Sequence, residues 1–255
     1  MNRGTALVTG ASAGIGAAFA TLLASEGFRL ILTARRLEKL EALQLALGEE
    51  TVLQVIAQDL SAPGGVDALI DAIDHPVDML INNAGMTLDR RFQDLDAGDV
   101  EQIIQLNVTT LTRLTHHFIT KMQHQGAGRI LNVASVAAFH PVPGMDIYAA
   151  TKAYVLSLSE SLAENLRGTG VSVTALCPGL TATEGADAAL LEQLPAFLQS
   201  IPEEVAREGF EAMMNREVIR IPGDANRAAL AWSRHQPRWL LRGLGGLAAR
   251  ITGQR

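Results

Sequence analysis

Short apolar runs alternate along this chain with longer segments whose apolar residues recur at three- and four-residue spacing. The runs at 6–9, 30–33, 52–57, 77–81, 130–133 and 171–176 are rich in Val, Ile and Leu and have strand length. They are almost continuously apolar, as strands are when helices cover both faces of a parallel sheet. The segments at 15–26, 37–47, 66–73, 100–124 and 148–167 carry the helical period. Alternation of the two predicts βαβ units with right-handed crossovers. Glycines punctuate the pattern: Gly27 and Gly48 follow the first two helices, Gly126 and Gly128 the fourth, Gly168 and Gly170 the fifth. Residues 218–221, closed by Pro222-Gly223, read as a last strand.

The stretch 178–214 has no clean strand and is rich in Ala, Leu and Glu. It is expected to form a small helical lid, at about 180–214, on a single domain spanning 1–255. The expected fold class is α/β, a doubly wound parallel sheet of about seven strands with helices on both faces, the Rossmann arrangement. Composition agrees: 255 residues, 48% hydrophobic and 19% charged, supply a core for one large domain. The net charge of -6 argues against non-specific nucleic-acid binding, which needs basic surface to displace counterions. A single cysteine, Cys177, forms no internal disulfide and reads as a small buried hydrophobe. With no leader pattern and no uninterrupted apolar run of about 18 residues, a cytoplasmic protein without a membrane span is expected.

The string Thr9-Gly10-Ala11-Ser12-Ala13-Gly14-Ile15-Gly16 lies between the first strand and the first helix. In that position Gly10 allows a tight turn, Gly14 lets a pyrophosphate approach the backbone, and Gly16 permits close packing of helix on sheet. The free N–H groups and partial positive charge of the helix N-terminus face the anion. A P-loop nucleotide site would need a lysine and a hydroxyl where Gly16-Ala17-Ala18 stands. The second strand ends in Leu32-Thr33-Ala34-Arg35-Arg36, with no acid to accept a ribose 2′-hydroxyl. An arginine there can pair with a 2′-phosphate, so NADP(H) is expected over NAD(H), with Arg35 the better candidate by register.

Tyr148-Ala149-Ala150-Thr151-Lys152 opens a helix, and i, i+4 spacing turns the phenol and the ammonium to one side. A nearby cation is expected to lower the phenol's pKa, fitting it to exchange a proton with an alkoxide or alcohol. Ser135 follows the fifth strand, where ligands bind in open α/β sheets, and can orient a carbonyl. Asn107 is a polar residue within an apolar helix.

With these motifs together, and with Asn82-Asn83-Ala84-Gly85 and Pro178-Gly179, the chain resembles the short-chain dehydrogenase/reductase family over nearly its whole length. The resemblance implies that Tyr148 is the acid/base, that Lys152 lowers its pKa and holds the nicotinamide ribose, that Ser135 polarises the carbonyl, and that Asn107 holds a water in a proton relay ending at Lys152. It implies Asp59 and Leu60 beside the adenine, Asn83, Ala84 and Gly85 along the adenosine side, and Ser12 and Ile15 at the phosphate loop. After Pro178 and Gly179, Thr181 would fix the carboxamide and Thr183 would reach the pyrophosphate. Ala34-Arg35-Arg36, Gln105-Leu106-Asn107-Val108 and Ile221-Pro222-Gly223 resemble a bacterial group of NADP-preferring reductases, although Ala13 stands where many of these carry a basic or hydroxyl residue. The family implies hydride transfer between NADP(H) and a small-molecule carbonyl or secondary alcohol, no metal, and a homodimer or homotetramer.

The contrasting expectation is a regulatory protein that senses NADPH without turnover, for which Asn107, Ser135, Tyr148 and Lys152 would be superfluous. Adjacent His116 and His117 point in different directions and make a poor metal pair. His140, between Ser135 and Tyr148, is a candidate substrate contact. The apolar stretch 239–247, with flanking arginines, suggests packing on a subunit or the lid more than membrane contact.

Overall fold

The computed structural model describes residues 3–88, 90, 92–183, 199–233, 236, 237, 240 and 243. Seven parallel strands form one sheet: β1 (Thr5–Thr9), β2 (Arg29–Ala34), β3 (Val52–Ala57), β4 (Met79–Asn82), β5 (Gly128–Val133), β6 (Val171–Leu176) and β7 (Ile219–Arg220). Their order is β3-β2-β1-β4-β5-β6-β7. Winding therefore reverses between β1 and β4, which opens a crevice at the carboxyl ends of those strands.

The helices are α1 (Gly14–Ser25), α2 (Leu37–Leu47), α3 (Gly65–Ala72), α4 (Ala97–Ile104), α5 (Leu111–Gln125), α6 (Asp146–Asn165), α7 (Pro202–Met214) and α8 (Asp224–Ser233). Strand side chains divide by alternation. Ala6, Val8, Leu30, Leu32, Leu131 and Val133 pack under Phe19, Leu23 and Leu40 of α1 and α2. Leu7, Ile31, Leu80 and Ile130 pack on the other face under Val66, Leu69, Leu114 and Phe118. Both faces are dry, which explains the unbroken apolar runs.

The structure differs from the sequence expectations in three places. The fourth strand begins at Met79 rather than at residue 77; Asp78 leads into it, its carboxylate accepting the Thr5 amide (2.8 Å) and its backbone amide donating to the Thr5 carbonyl (2.9 Å). The helix expected at 100–124 is interrupted: Gln105–Thr110 is wound as π-helix between α4 and α5. The expected lid is smaller than 180–214. Its last part, α7, lies on the sheet with Val205, Ala206, Phe210 and Met213 inside the first core cluster. A Cβ on Gly209 would stand 2.8 Å from Leu176 Cδ2 and Phe19 Cζ, so this helix belongs to the core. Of the remaining lid, 184–198 lie outside the described residues, as does most of the stretch at 239–247.

Candidate active site

The loop after β1 is bent by two glycines in left-handed conformation, Gly10 (φ 66°) and Gly14 (φ 56°). A Cβ on Gly16 would collide with the Gly10 carbonyl oxygen, so loop and helix touch backbone to backbone. Thr9 and Asn83 hold this turn to the end of β4. The Thr9 hydroxyl accepts the Asn83 and Ala84 amides (3.0 Å each), and Asn83 Nδ2 donates to the Thr9 and Gly10 carbonyls (2.9 and 3.2 Å). The first turn of α1 has neither a side-chain cap nor an acidic residue. Its orphan amides therefore lack a side-chain partner at the point where a phosphate would need them. Thr183 lies across the turn, with Cγ2 only 2.9 Å from where a Gly14 Cβ would be.

Beyond this loop, the ends of β2 and β3 carry Arg35, Arg36 and Asp59. Arg36 Nη2 donates to the Ser12 hydroxyl (3.1 Å), so Arg36 as well as the exposed Arg35 attends the loop. Hydrogen bonds from the Ser61 hydroxyl, opposed by partial burial and aided by the Ser61 amide and the charge of Arg35, hold the Asp59 carboxyl below the usual range. The Leu60 side chain is buried, and its carbonyl accepts the Thr110 hydroxyl (2.6 Å), which ties the β3 exit to the π-helical segment.

Across the crevice, the carboxyl end of β5 presents Ser135, buried, with its hydroxyl accepting the Ala137 amide (3.1 Å). Tyr148 and Lys152 stand one turn apart at the start of α6, with Lys152 Nζ 5.6 Å from the phenol ring centroid. Lys152 is 5% exposed and donates to the Val133 carbonyl (2.8 Å). Asn107 sits inside the π-helical segment, where the register shift turns it into the core. Its amide is engaged through both atoms: Oδ1 accepts the Met86 amide (2.9 Å), while Nδ2 donates to the Met86 carbonyl (2.9 Å) and the Thr151 hydroxyl (3.1 Å). Gly85 closes the group, since a Cβ there would lie 3.3 Å from Asn107 Oδ1 and 3.4 Å from Lys152 Nζ.

The electrostatics differ in one respect from the sequence expectation. Burial pushes the Tyr148 phenol above its usual pKa, and a hydrogen bond with the Ser135 side chain pulls it back only in part. Desolvation pulls Lys152 down to about 8. Desolvation thus sets the direction for the phenol, and the expected lowering by the Lys152 charge does not accompany it. Cys177, wholly buried, is pushed up to about 12 by its apolar surroundings and behaves as a small hydrophobe. Burial, then the charges of Lys121 and His116, lower His117.

Pro178 and Gly179 follow β6. A Cβ on Gly179 would strike the Asn226 amide of α8 (2.5 Å), and the buried Thr181 hydroxyl donates to the Gly179 carbonyl (3.1 Å). Ile15 packs on the first core cluster behind the loop. Gly10, Ser12, Arg35, Asp59, Asn83–Gly85, Ser135, Tyr148, Lys152 and Gly179–Thr183 thus all meet at one edge of the sheet. Sequence reasoning did not single out Thr9, Thr151 or Asn226 as fixing this edge. Thr9 and Thr151 lay inside strings already read as motifs; nothing local marks Asn226.

The family model for short chain dehydrogenases matches residues 4–193. A sulfoacetaldehyde reductase of Chromohalobacter salexigens is 41% identical over 182 residues, 69% of this chain and 72% of that protein. A short-chain dehydrogenase of Sphingobium yanoikuyae, solved in complex with NADPH, superposes with a TM-score of 0.79 at 36% identity, covering 90% of this chain and 93% of that one. A short-chain dehydrogenase/reductase of Burkholderia phymatum, solved with NAD, gives 0.78 at 28% identity, covering 89% and 91%. From the phosphate loop to the Ser135, Tyr148 and Lys152 group, the chain belongs to the short-chain dehydrogenase family and is an oxidoreductase of that type.

Proposed function

We propose that this protein transfers a hydride between NADP(H) and the carbonyl or secondary alcohol of a small organic substrate, with Tyr148 as acid/base. The observation that carries the reading is the shared crevice edge. The uncapped, glycine-bent turn faces Arg35 and Arg36 on one side, and the buried Ser135 and Lys152 with the half-buried Tyr148 stand on the other.

The residues fit a nicotinamide dinucleotide. Gly10, Ser12, Gly14, Ile15 and Gly16 would hold the pyrophosphate with Thr183 above it, and Asp59, Leu60 and Asn83–Gly85 would border the adenosine. Arg35, with Arg36 beside it at Ser12, would meet a 2′-phosphate; Pro178, Gly179 and Thr181 would fix the nicotinamide end. When bound, the cofactor supplies or accepts the hydride.

Ser135 keeps its hydroxyl proton and donates a hydrogen bond to the substrate oxygen, which orients it. Tyr148 delivers its Oη proton to that oxygen as negative charge develops, and burial keeps the phenol protonated at neutral pH for this task. The Lys152 ammonium, held by the Val133 carbonyl and 5.6 Å from the phenol ring centroid, would hold the nicotinamide ribose. Asn107 fixes the Met86 backbone and, through Thr151, the first turn of α6, so that Tyr148 and Lys152 keep their spacing. A water at this asparagine would lead protons towards Lys152.

We also place this chain in the cytoplasm as a homodimer or homotetramer. Among the described residues no helix is long and apolar enough to cross a membrane. A groove of about 440 Å³ between α4 and α6, lined by Phe92, Val100, Ile104, Val108 and Ile147, offers an apolar face to a second subunit. Light scattering of the eluting protein tests the assembly.

The test of function is titration with NADPH and NADH, followed by absorbance of the nicotinamide band against aldehydes, ketones and diketones. Sulfoacetaldehyde belongs in the panel. Tyr148→Phe should keep NADPH affinity and lose about 10²–10⁴ in kcat. Tight NADPH binding without turnover on any carbonyl would favour the sensing role, and binding of neither nucleotide would refute the reading.

A further inference from the structure

His140 stands midway along the loop that joins Ser135 to Tyr148, so whatever holds His140 positions the segment between two reacting groups. It does not stand free in the crevice. Its Nε2 lies 2.6 Å from the hydroxyl of Ser233, the buried last residue of α8 and 93 positions away. The Ser233 hydroxyl has one proton, which it donates to the Leu230 carbonyl (2.8 Å). The bond forms with either tautomer: Nε2–H donates while the hydroxyl holds Leu230, and a bare Nε2 accepts when the hydroxyl turns to it.

The start of α8 is tied down separately. Arg227 pairs with Glu208 (3.0 Å) and donates to the Ile221 carbonyl (2.9 Å). Asn226 donates to the Pro222 carbonyl (2.9 Å) and fills the space beside Gly179. Helix α8 is thus held at Gly179, after β6, by Asn226 and at the Ser135–Tyr148 loop, after β5, by His140.

We propose that α8, latched by the His140–Ser233 hydrogen bond, is a fixed wall of the substrate cleft, and that His140 is a positioning residue setting the size of substrate admitted beside Ser135. This deepens the oxidoreductase reading and rests on it. A cleft walled by a rigid helix discriminates by bulk, because a large group must displace packed backbone. Unlatching the loop should relax that discrimination without altering proton transfer.

The test compares wild type, Ser233→Ala, His140→Ala and His140→Gln, using NADPH with a small aldehyde and a bulky aryl ketone. The two alanine variants should shift the bulky-to-small ratio of kcat/KM at least fivefold towards the bulky ketone. The change should lie in KM, with kcat for the small aldehyde and its pH profile unchanged. His140→Gln, whose Nε2 amide can donate to Ser233, should restore the wild-type ratio. An unchanged ratio in both alanine variants, or equal loss of kcat on both substrates, would overturn the proposal. Amide exchange over residues 136–145 gives a readout independent of turnover. It should rise in Ser233→Ala relative to wild type, and an unchanged rate would refute the latch even if the enzyme proved inactive on every carbonyl tried.

Discussion

Lys152 offers the sharpest test of the site's electrostatics, because burial makes its charge costly to hold. The side chain is 5% exposed, and its ammonium has a hydrogen bond to the Val133 carbonyl (2.8 Å). Desolvation, opposed only by the nearby Cys177 sulfur, lowers its pKa from 10.5 to about 8. At about 1.4 kcal/mol per pH unit this drop makes the protonated folded state about 3 kcal/mol less stable than it would be with an unperturbed lysine. The sign follows from proton counting. Between about pH 8 and 10.5 the unfolded chain binds a proton that the folded chain does not, so this residue's contribution to stability rises with pH across that window. Below it the full cost is present; above it the cost is gone.

Lys152→Met keeps an apolar stem and deletes the charge. At pH 7 the variant escapes the desolvation cost and leaves the Val133 carbonyl without its donor, a loss of about 1 kcal/mol. It should be the more stable protein there by about 2 kcal/mol. By pH 10.5 the order should reverse, with wild type ahead by about 1 kcal/mol. Urea unfolding of both proteins from pH 7 to 10.5, without cofactor and at one protein concentration, measures the difference. Subtraction cancels the groups the two share. A difference that stays flat across the window, or a wild type more stable at pH 7, would refute the argument. The same substitution should abolish most turnover, the signature of a residue retained for function at the expense of stability.

Replacing Arg35 and Arg36 together by alanine should weaken NADPH binding about tenfold to a hundredfold and leave NADH unaffected, as fluorescence titration of both nucleotides would show. Gly16→Ala should destabilise the fold by about 1–3 kcal/mol in denaturant unfolding and weaken NADPH binding as well, since its Cβ has no space against the Gly10 carbonyl and Asn83. Asn132→Ala should cost about 2–3 kcal/mol in the same assay, because Asn132 Oδ1 accepts Asn82 Nδ2 and its Nδ2 donates to Ser159 (2.9 Å each) in a buried polar network.

The strands were legible because both sheet faces are covered: a run such as Leu30-Ile31-Leu32 has to be apolar on each side, and no amphipathic alternation competes with that signal. The glycine-bent turn after β1 and the pairing of Tyr148 with Lys152 were legible for a different reason, that each is a local backbone device with its residues within one or two turns of one another. Residues 202–214 failed as a lid because an amphipathic helix has the same period whether it packs on a core or closes over a cleft. The burial of Val205, Ala206, Phe210 and Met213 and the absence of room at Gly209 tell the two apart, and the neighbours at Gly209, Phe19 and Leu176, are distant in sequence.

Asn107 marks the limit of such reading. Its sequence context, Leu106-Asn107-Val108, fits an ordinary helix, and a buried amide there is expected only to find some partner. What sets its place is the π-helical turn at Gln105–Thr110, which turns Asn107 inward against Met86 and Thr151 and brings the Thr110 hydroxyl to the Leu60 carbonyl. One local change of pitch therefore couples the exit of β3 to the first turn of α6, where Tyr148 stands. No residue in that segment is by itself a π-helix former; the contacts that stabilise it come from residues 60, 86 and 151, and they exist only once the sheet has brought those residues together. The residues that carry chemistry are thus declared locally, while the contacts that aim them are declared by the fold.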